Sequence, residues 1–280
     1  MTTTQVQPDR PTRHSWMRAH PVWAFVATTY ALSWSLWLVA WILTGPLGFS
    51  QWVGAVPVIA GGLGPAAAAV LVLRWTGGSV RAWARPILRW RVPLRYYVYA
   101  LGIPAGLQAF ANGVLVLLGE PVEPTLVAER WPAYLATFLF VLTLGGALEE
   151  PGWRGFALPR LQQRFTPLAA TALLGLAWGI WHVPLDGPLG FVVPFVLAFF
   201  YTWLYNRTGS VLLCILLHAS FTPAQDHLLL LAEETHGITD VAIGLAYLLG
   251  VGALIVLTRG RLGQDAHVDT ASHPNAPATT

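Results

Sequence analysis

Two adjacent glutamates, Glu149 and Glu150, are followed by Arg154, and two histidines, His182 and His218, each stand alone inside a later apolar stretch. Carboxylates and imidazoles can move protons near neutral pH, and together they can hold a metal. Here they lie among apolar segments, where an ionisable group is costly and tends to mark a working site. Glu150 and Arg154 are i,i+4 neighbours if helical, as are His218 and Thr222, so each pair shares a face. The residue types therefore point to acid/base or metal chemistry at membrane depth.

Long apolar helices have to position such groups. Of 280 residues, 55% are hydrophobic and 10% charged, against roughly 25% charged in a soluble domain. All 16 basic residues are arginine, and a net charge of +3 gives little support for a nucleic-acid partner. The lone Cys214 excludes an intrachain disulfide and a zinc site built on cysteines. Eight stretches reach the roughly 20 apolar residues a span needs: near 21–45, 52–75, 96–119, 132–150 with a continuation, 167–184, 188–206, 210–231 and 240–258. The expected fold is all-α, a polytopic membrane protein of about eight transmembrane helices in one domain, 21–258, between disordered cytoplasmic tails, 1–20 and 259–280. The first apolar run is too long for a secretory signal and reads as an uncleaved span.

Between the second and third spans, Arg81, Arg85, Arg89, Arg91 and Arg95 alternate with Trp83, Ile87, Leu88 and Trp90. This pattern reads as an amphipathic segment resting on the membrane surface. Arginine-bearing loops stay cytoplasmic. With the N-terminus inside, the arginines of the tails, the interfacial segment, the Arg160/Arg164 turn and Arg207 all fall inside, and Arg130 falls outside. Both termini are expected to be cytoplasmic.

The fourth span runs past Glu150 toward a turn at Phe165-Thr166-Pro167, and Pro151 is expected to kink it. At about 1.5 Å per residue, Glu149 lies roughly 24 Å before that turn and His182 roughly 24 Å after it, so antiparallel neighbours would bring them level. Counted from the Arg207-Thr208-Gly209 turn, His218 lies about 14 Å deep and Thr222 about 20 Å deep. Each group has a plain alternative: Glu150 and Arg154 as a pair holding the helix in register, His182 as an interfacial histidine, His218 as an interhelical hydrogen bonder. Their agreement in depth favours a shared site. Gln108 and Asn112, one turn apart in the third span, read as structural hydrogen bonders.

These residues resemble the CAAX prenyl endopeptidase and bacteriocin-processing (CPBP, Abi) intramembrane proteases. The family's Glu-Glu-x-x-x-Arg motif reads Glu149-Glu150-Pro-Gly-Trp-Arg154, followed by Gly155-Phe156 and Leu158-Pro159-Arg160-Leu161. Its Phe-x-x-x-His appears as Trp178-Gly-Ile-Trp-His182 and its His-x-x-x-Asn as His218-Ala-Ser-Phe-Thr222, with Trp203-Leu-Tyr-Asn-Arg-Thr-Gly-Ser210 as the lead-in. The likeness covers 140–225. Trp178 in place of phenylalanine keeps an aromatic wall. Thr222 in place of asparagine presents a shorter donor to an oxyanion, which bears on turnover more than on fold.

The resemblance implies hydrolysis of a peptide bond by water within the membrane. Glu149 would act as general base on a water also held by His182, Glu150 would pair with Arg154 and orient the site, and His218 with Thr222 would donate to the oxyanion. No serine or cysteine nucleophile is suitably placed. Glu149, His182 and His218 would also serve as a two-histidine, one-carboxylate zinc set, but the chain lacks a His-Glu-x-x-His helix, and the metal-free reading, with no cofactor required, is preferred. The implied partners are membrane lipids and a membrane-associated or prenylated peptide or protein substrate. The alternatives are a catalytically weak or inactive bacteriocin-immunity or scaffold protein and, behind it, a small proton-coupled transporter, for which the inverted-repeat pattern is missing.

Overall fold

The computed structural model describes residues 13–232 and 237–264. Among them the chain is 79% helix with no strands, an all-α membrane architecture as expected. The helices are α1 (Arg13–Ala19), α2 (Pro21–Thr44), α3 (Gln51–Gly62), α4 (Gly64–Thr76), α5 (Val80–Ala84), α6 (Leu94–Leu117), α7 (Leu126–Thr143), α8 (Glu150–Gly152), α9 (Leu158–Leu161), α10 (Pro167–Asp186), α11 (Val192–Thr208), α12 (Val211–His227) and α13 (Ile238–Leu257).

The expected eight spans come down to six helices long and apolar enough to cross a membrane, or seven if the bent pair α3–α4 counts as one. The second expected span is this pair, bent by 40°. The seventh, α12, has 17 residues and ends at Gln225-Asp226-His227, where polar side chains replace apolar ones. Much of the expected tails, 1–12 and 265–280, lies outside the described residues. Residues 13–19 form α1, and at the other end Leu262 is buried, its carbonyl accepting from Asn206 Nδ2 at 2.9 Å.

Local chemistry sets the helix ends around the site. Thr166 Oγ1 accepts from Ala169 N at the start of α10 with Pro167 in the first turn, and Ser210 Oγ accepts from Leu213 N at the start of α12. Gly209, at φ 61°, ends α11 in the left-handed conformation that a residue with a Cβ disfavours. This lets α11 and α12 fold back on each other through a very short turn.

Small residues let the first helices close tightly. Trp37 Nε1 donates to Val58 O at 3.1 Å and Ser33 Oγ to Gly61 O at 2.7 Å, tying α2 to α3. A Cβ on Gly152, inside the glutamate motif, would lie 2.5 Å from the Pro65 carbonyl, so α4 and α8 touch backbone to backbone there. Stacked aromatics fill the space beside them: Phe25 on Phe156 at 5.1 Å, Phe25 edge-on to Trp153 at 5.3 Å, and Trp37 against Trp181 at 4.6 Å. Tyr30 donates to Ala177 O and Trp34 Nε1 to Trp181 O, fixing α10 against α2.

Two other expectations resolve differently. Asn112 bridges as expected, donating to Leu228 O and accepting from Leu230 N, and Arg130 donates to the carbonyls of Leu229 and Leu231. Gln108 is fully buried, yet neither of its amide atoms finds a hydrogen-bond partner among the described residues. The arginine-rich segment after α4 does more than rest on a surface. Trp83 Nε1 donates to Pro151 O at 3.0 Å, Pro86 O accepts from Val211 N and Arg89 O accepts from Ser210 Oγ. It is docked on the helices that carry Glu150 and His218.

Candidate active site

The helix bearing the two glutamates is not one kinked α-helix. It stops at Thr143, re-forms as a 3-10 turn over Gly146–Glu149, continues as α8, passes through a π-helical turn at Trp153–Ala157 and ends as α9. The interruption precedes the glutamates, at Leu144 and Gly145, rather than falling on Pro151. Pro151 lies in the first turn of α8, where its missing N–H costs least. π turns inside helices recur at functional sites because they re-aim side chains.

Glu149, Glu150 and Arg154 are buried, the last two completely. Arg154 NH1 donates to Glu150 Oε1 at 3.0 Å, and the same oxygen accepts from His218 Nδ1 at 2.9 Å. The guanidinium lies between two aromatic faces, with its carbon 4.1 Å from the Trp178 ring centroid and 4.2 Å from that of Tyr201. Among the described residues Arg154 Nε and NH2 have no hydrogen-bond partner, so the two π faces are the main environment of that side of the cation.

Glu149 is held differently. Trp178 Nε1 donates to its Oε2 at 2.7 Å. A Cβ placed on Gly146 would sit 2.6 Å from His218 Nε2 and 3.0 Å from Glu149 Oε1, so these two atoms face one point over that glycine. Phenylalanine in the tryptophan's place could not make the first contact, and alanine at 146 would crowd the second. His182 Nδ1 donates to Trp178 O at 3.0 Å, which leaves Nε2 of the neutral ring as an acceptor.

His182, His218 and Thr222 line one cavity of about 300 Å³, together with Trp178, Tyr201, Asp186 and Gln225, and Val193, Pro194 and Leu197 form an apolar wall. The six residues expected at the site are thus gathered at the junction of α8, α10, α11 and α12. Glu149 reaches the cavity through Trp178 and His218. Among the described residues no three His, Cys, Asp or Glu side chains are arranged to hold a metal ion.

Sequence reasoning missed four contributors. Trp178 was taken as a wall and is also a donor. Gly146 and Tyr201 carried no signal beyond adjacency to the glutamates and an aromatic run. Trp83, from the segment read as interfacial, reaches the motif's own backbone.

An all-helical membrane protein with a buried carboxylate, imidazole and guanidinium site is the class that fold and geometry define. The sequence model for type II CAAX prenyl endopeptidase Rce1-like proteins matches residues 131–222, which contain all three motifs. A CAAX prenyl protease 2 from Methanococcus maripaludis is 47% identical over 47 residues, a match that spans 17% of this chain and 17% of that protein. Over residues 131–222 the chain is thus similar to the CAAX prenyl endopeptidases, in the stretch that holds the motifs resembling the CPBP (Abi) proteins.

Proposed function

We propose that the protein is an intramembrane endopeptidase that hydrolyses a peptide bond of a membrane-associated substrate, prenylated or not, with a water activated by glutamate and histidine. The observation that carries this reading is the pairing of Glu149 with Trp178 on one oxygen while its other oxygen faces His218 Nε2. One oxygen is fixed and the other is left to work. The family match, which includes a protein named as a protease, supports the reaction class.

Glu149 Oε1 takes a proton from water, and the hydroxide attacks the scissile carbonyl carbon. His182 Nε2, the acceptor nitrogen of its ring, orients that water from the cavity side. His218, held on Glu150 Oε1 through Nδ1, lines the same cavity as Thr222, and this pair faces the developing oxyanion. Collapse of the tetrahedral intermediate breaks the C–N bond as Glu149 returns its proton to the leaving amine.

The substitution of threonine at 222 favours a second reading, a family member with weak or no turnover that acts by binding. Mapping membrane peptides in wild-type and Glu149→Ala cells separates the two. New termini that vanish with the substitution support hydrolysis, whereas unchanged peptides and full biological effect in a properly inserted Glu149→Ala protein overturn it. We also keep both termini on the cytoplasmic side, on the arginine bias of the loops.

A further inference from the structure

A second pocket, of about 460 Å³, opens at the end of the bundle where α6 begins and α11 and α13 finish. Its volume falls in the range of small-ligand sites, about 300–1,000 Å³. Arg95, Arg207 and Arg261 line it, and no carboxylate does so among the described residues.

Arg207 and Arg261 have an ordinary explanation, because a cation near a helix C-terminus complements the helix dipole. Arg95 does not. It is the second residue of α6, whose first turn holds no acidic side chain, and a cation there opposes the dipole. Arg95 and Arg207 also converge on one side chain, that of Tyr96, with the Arg95 guanidinium carbon 5.1 Å from its ring centroid. Like charges brought together beside a helix N-terminus are stabilised by an anion between them.

The flanks of the pocket say what kind of anion. Leu94 is 77% exposed and Leu257 82% exposed, both at the ends of membrane-spanning helices. A ligand seated on the arginines would therefore lay any attached chains along an apolar surface. We propose that this pocket binds the phosphate-bearing headgroup of an anionic phospholipid, with Arg95, Arg207 and Arg261 on the phosphate and the acyl chains along α6 and α13. Basic pockets between spanning helices are suited to such headgroups.

The test uses the full-length purified protein in phosphatidylcholine discs, titrated with phosphatidylglycerol and followed by melting temperature. The expected result is a saturable rise, half-complete at roughly 25-fold more phosphatidylglycerol in an Arg95→Gln/Arg261→Gln variant, from about fivefold per arginine. Arg74→Gln/Arg164→Gln removes the same charge elsewhere and is expected to titrate as wild type. Equal weakening in both variants would overturn the pocket in favour of diffuse attraction. An unchanged titration in the first variant, or no rise in wild type, overturns it outright. The same rise with inorganic phosphate at matched concentration would overturn the lipid assignment. Melting in phosphatidylcholine alone checks folding, and if the double variant fails there, Arg261→Gln, at an exposed turn, is expected to shift the midpoint about fivefold.

Discussion

Trp178→Phe isolates the contact on which the catalytic reading most depends. The change restores the residue that the family motif carries, keeps an aromatic face over Arg154 and removes only the indole donor and one fused ring. Trp178 is 2% exposed, so no solvent replaces the 2.7 Å hydrogen bond to Glu149 Oε2. A hydrogen bond to a charged buried group is worth about 1.5–3 kcal/mol. If about 2 kcal/mol of that holds the carboxylate in its working orientation, kcat should fall roughly 30-fold. KM should move far less, because the donor contacts the base and not the substrate. The assay is steady-state cleavage of a peptide identified by product mapping, with Glu149→Gln as the folded, inactive reference and melting temperature as the check on packing. A kcat equal to or above wild type in a folded Trp178→Phe protein would refute the claim that the indole positions Glu149. Tryptophan here would then be a space-filling change and nothing more.

Gly146→Ala should abolish turnover, by at least a hundredfold in kcat, because a methyl group 2.6 Å from His218 Nε2 must displace the imidazole; wild-type cleavage would show that His218 and Glu149 do not act across that point. Thr222→Asn lengthens the donor beside His218 and is expected to raise kcat on the order of tenfold, a fraction of what an oxyanion donor contributes. An unchanged or lower rate in cleavage assays would remove Thr222 from the reaction. Exhaustive chelation of the purified protein should leave cleavage intact, measured with the metal content of the same sample. Loss of activity with rescue by zinc would reverse the metal-free reading.

The carboxylate, guanidinium and imidazole set was legible because these residue types are expensive among apolar neighbours, and their chain spacing translates into depth. Counting at a fixed rise set Glu149 level with His182, and the hydrogen bond that Glu149 makes is to Trp178, one turn earlier in α10. What the spacing could not show was how the fourth span is built. A 3-10 turn and a π turn on either side of α8 change the rise and rotation per residue, and neither leaves a simple periodic trace. Hydropathy likewise reads α12 and the segment beyond it as one stretch, whereas Asn112 and Arg130 hold 228–231 as non-helical chain. Trp83 was placed by its arginine neighbours, and its contact with Pro151 belongs to tertiary structure alone.

The π turn at Trp153–Ala157 makes the site sensitive to length in a way that substitutions do not reveal. A π turn holds one residue more than the α-helical turn it replaces, and each residue of an α-helix turns the chain by about 100°. Deleting Gly155 would remove that surplus residue and let the segment relax to an ordinary helical turn with α9 near its present angle to Glu150, whereas a deletion inside a regular α-helix would turn everything beyond it by about 100°. Phe156, stacked on Phe25, and Leu158, fully buried, would keep their places, and the change would fall on the side chains that the wide turn aims, Arg154 among them.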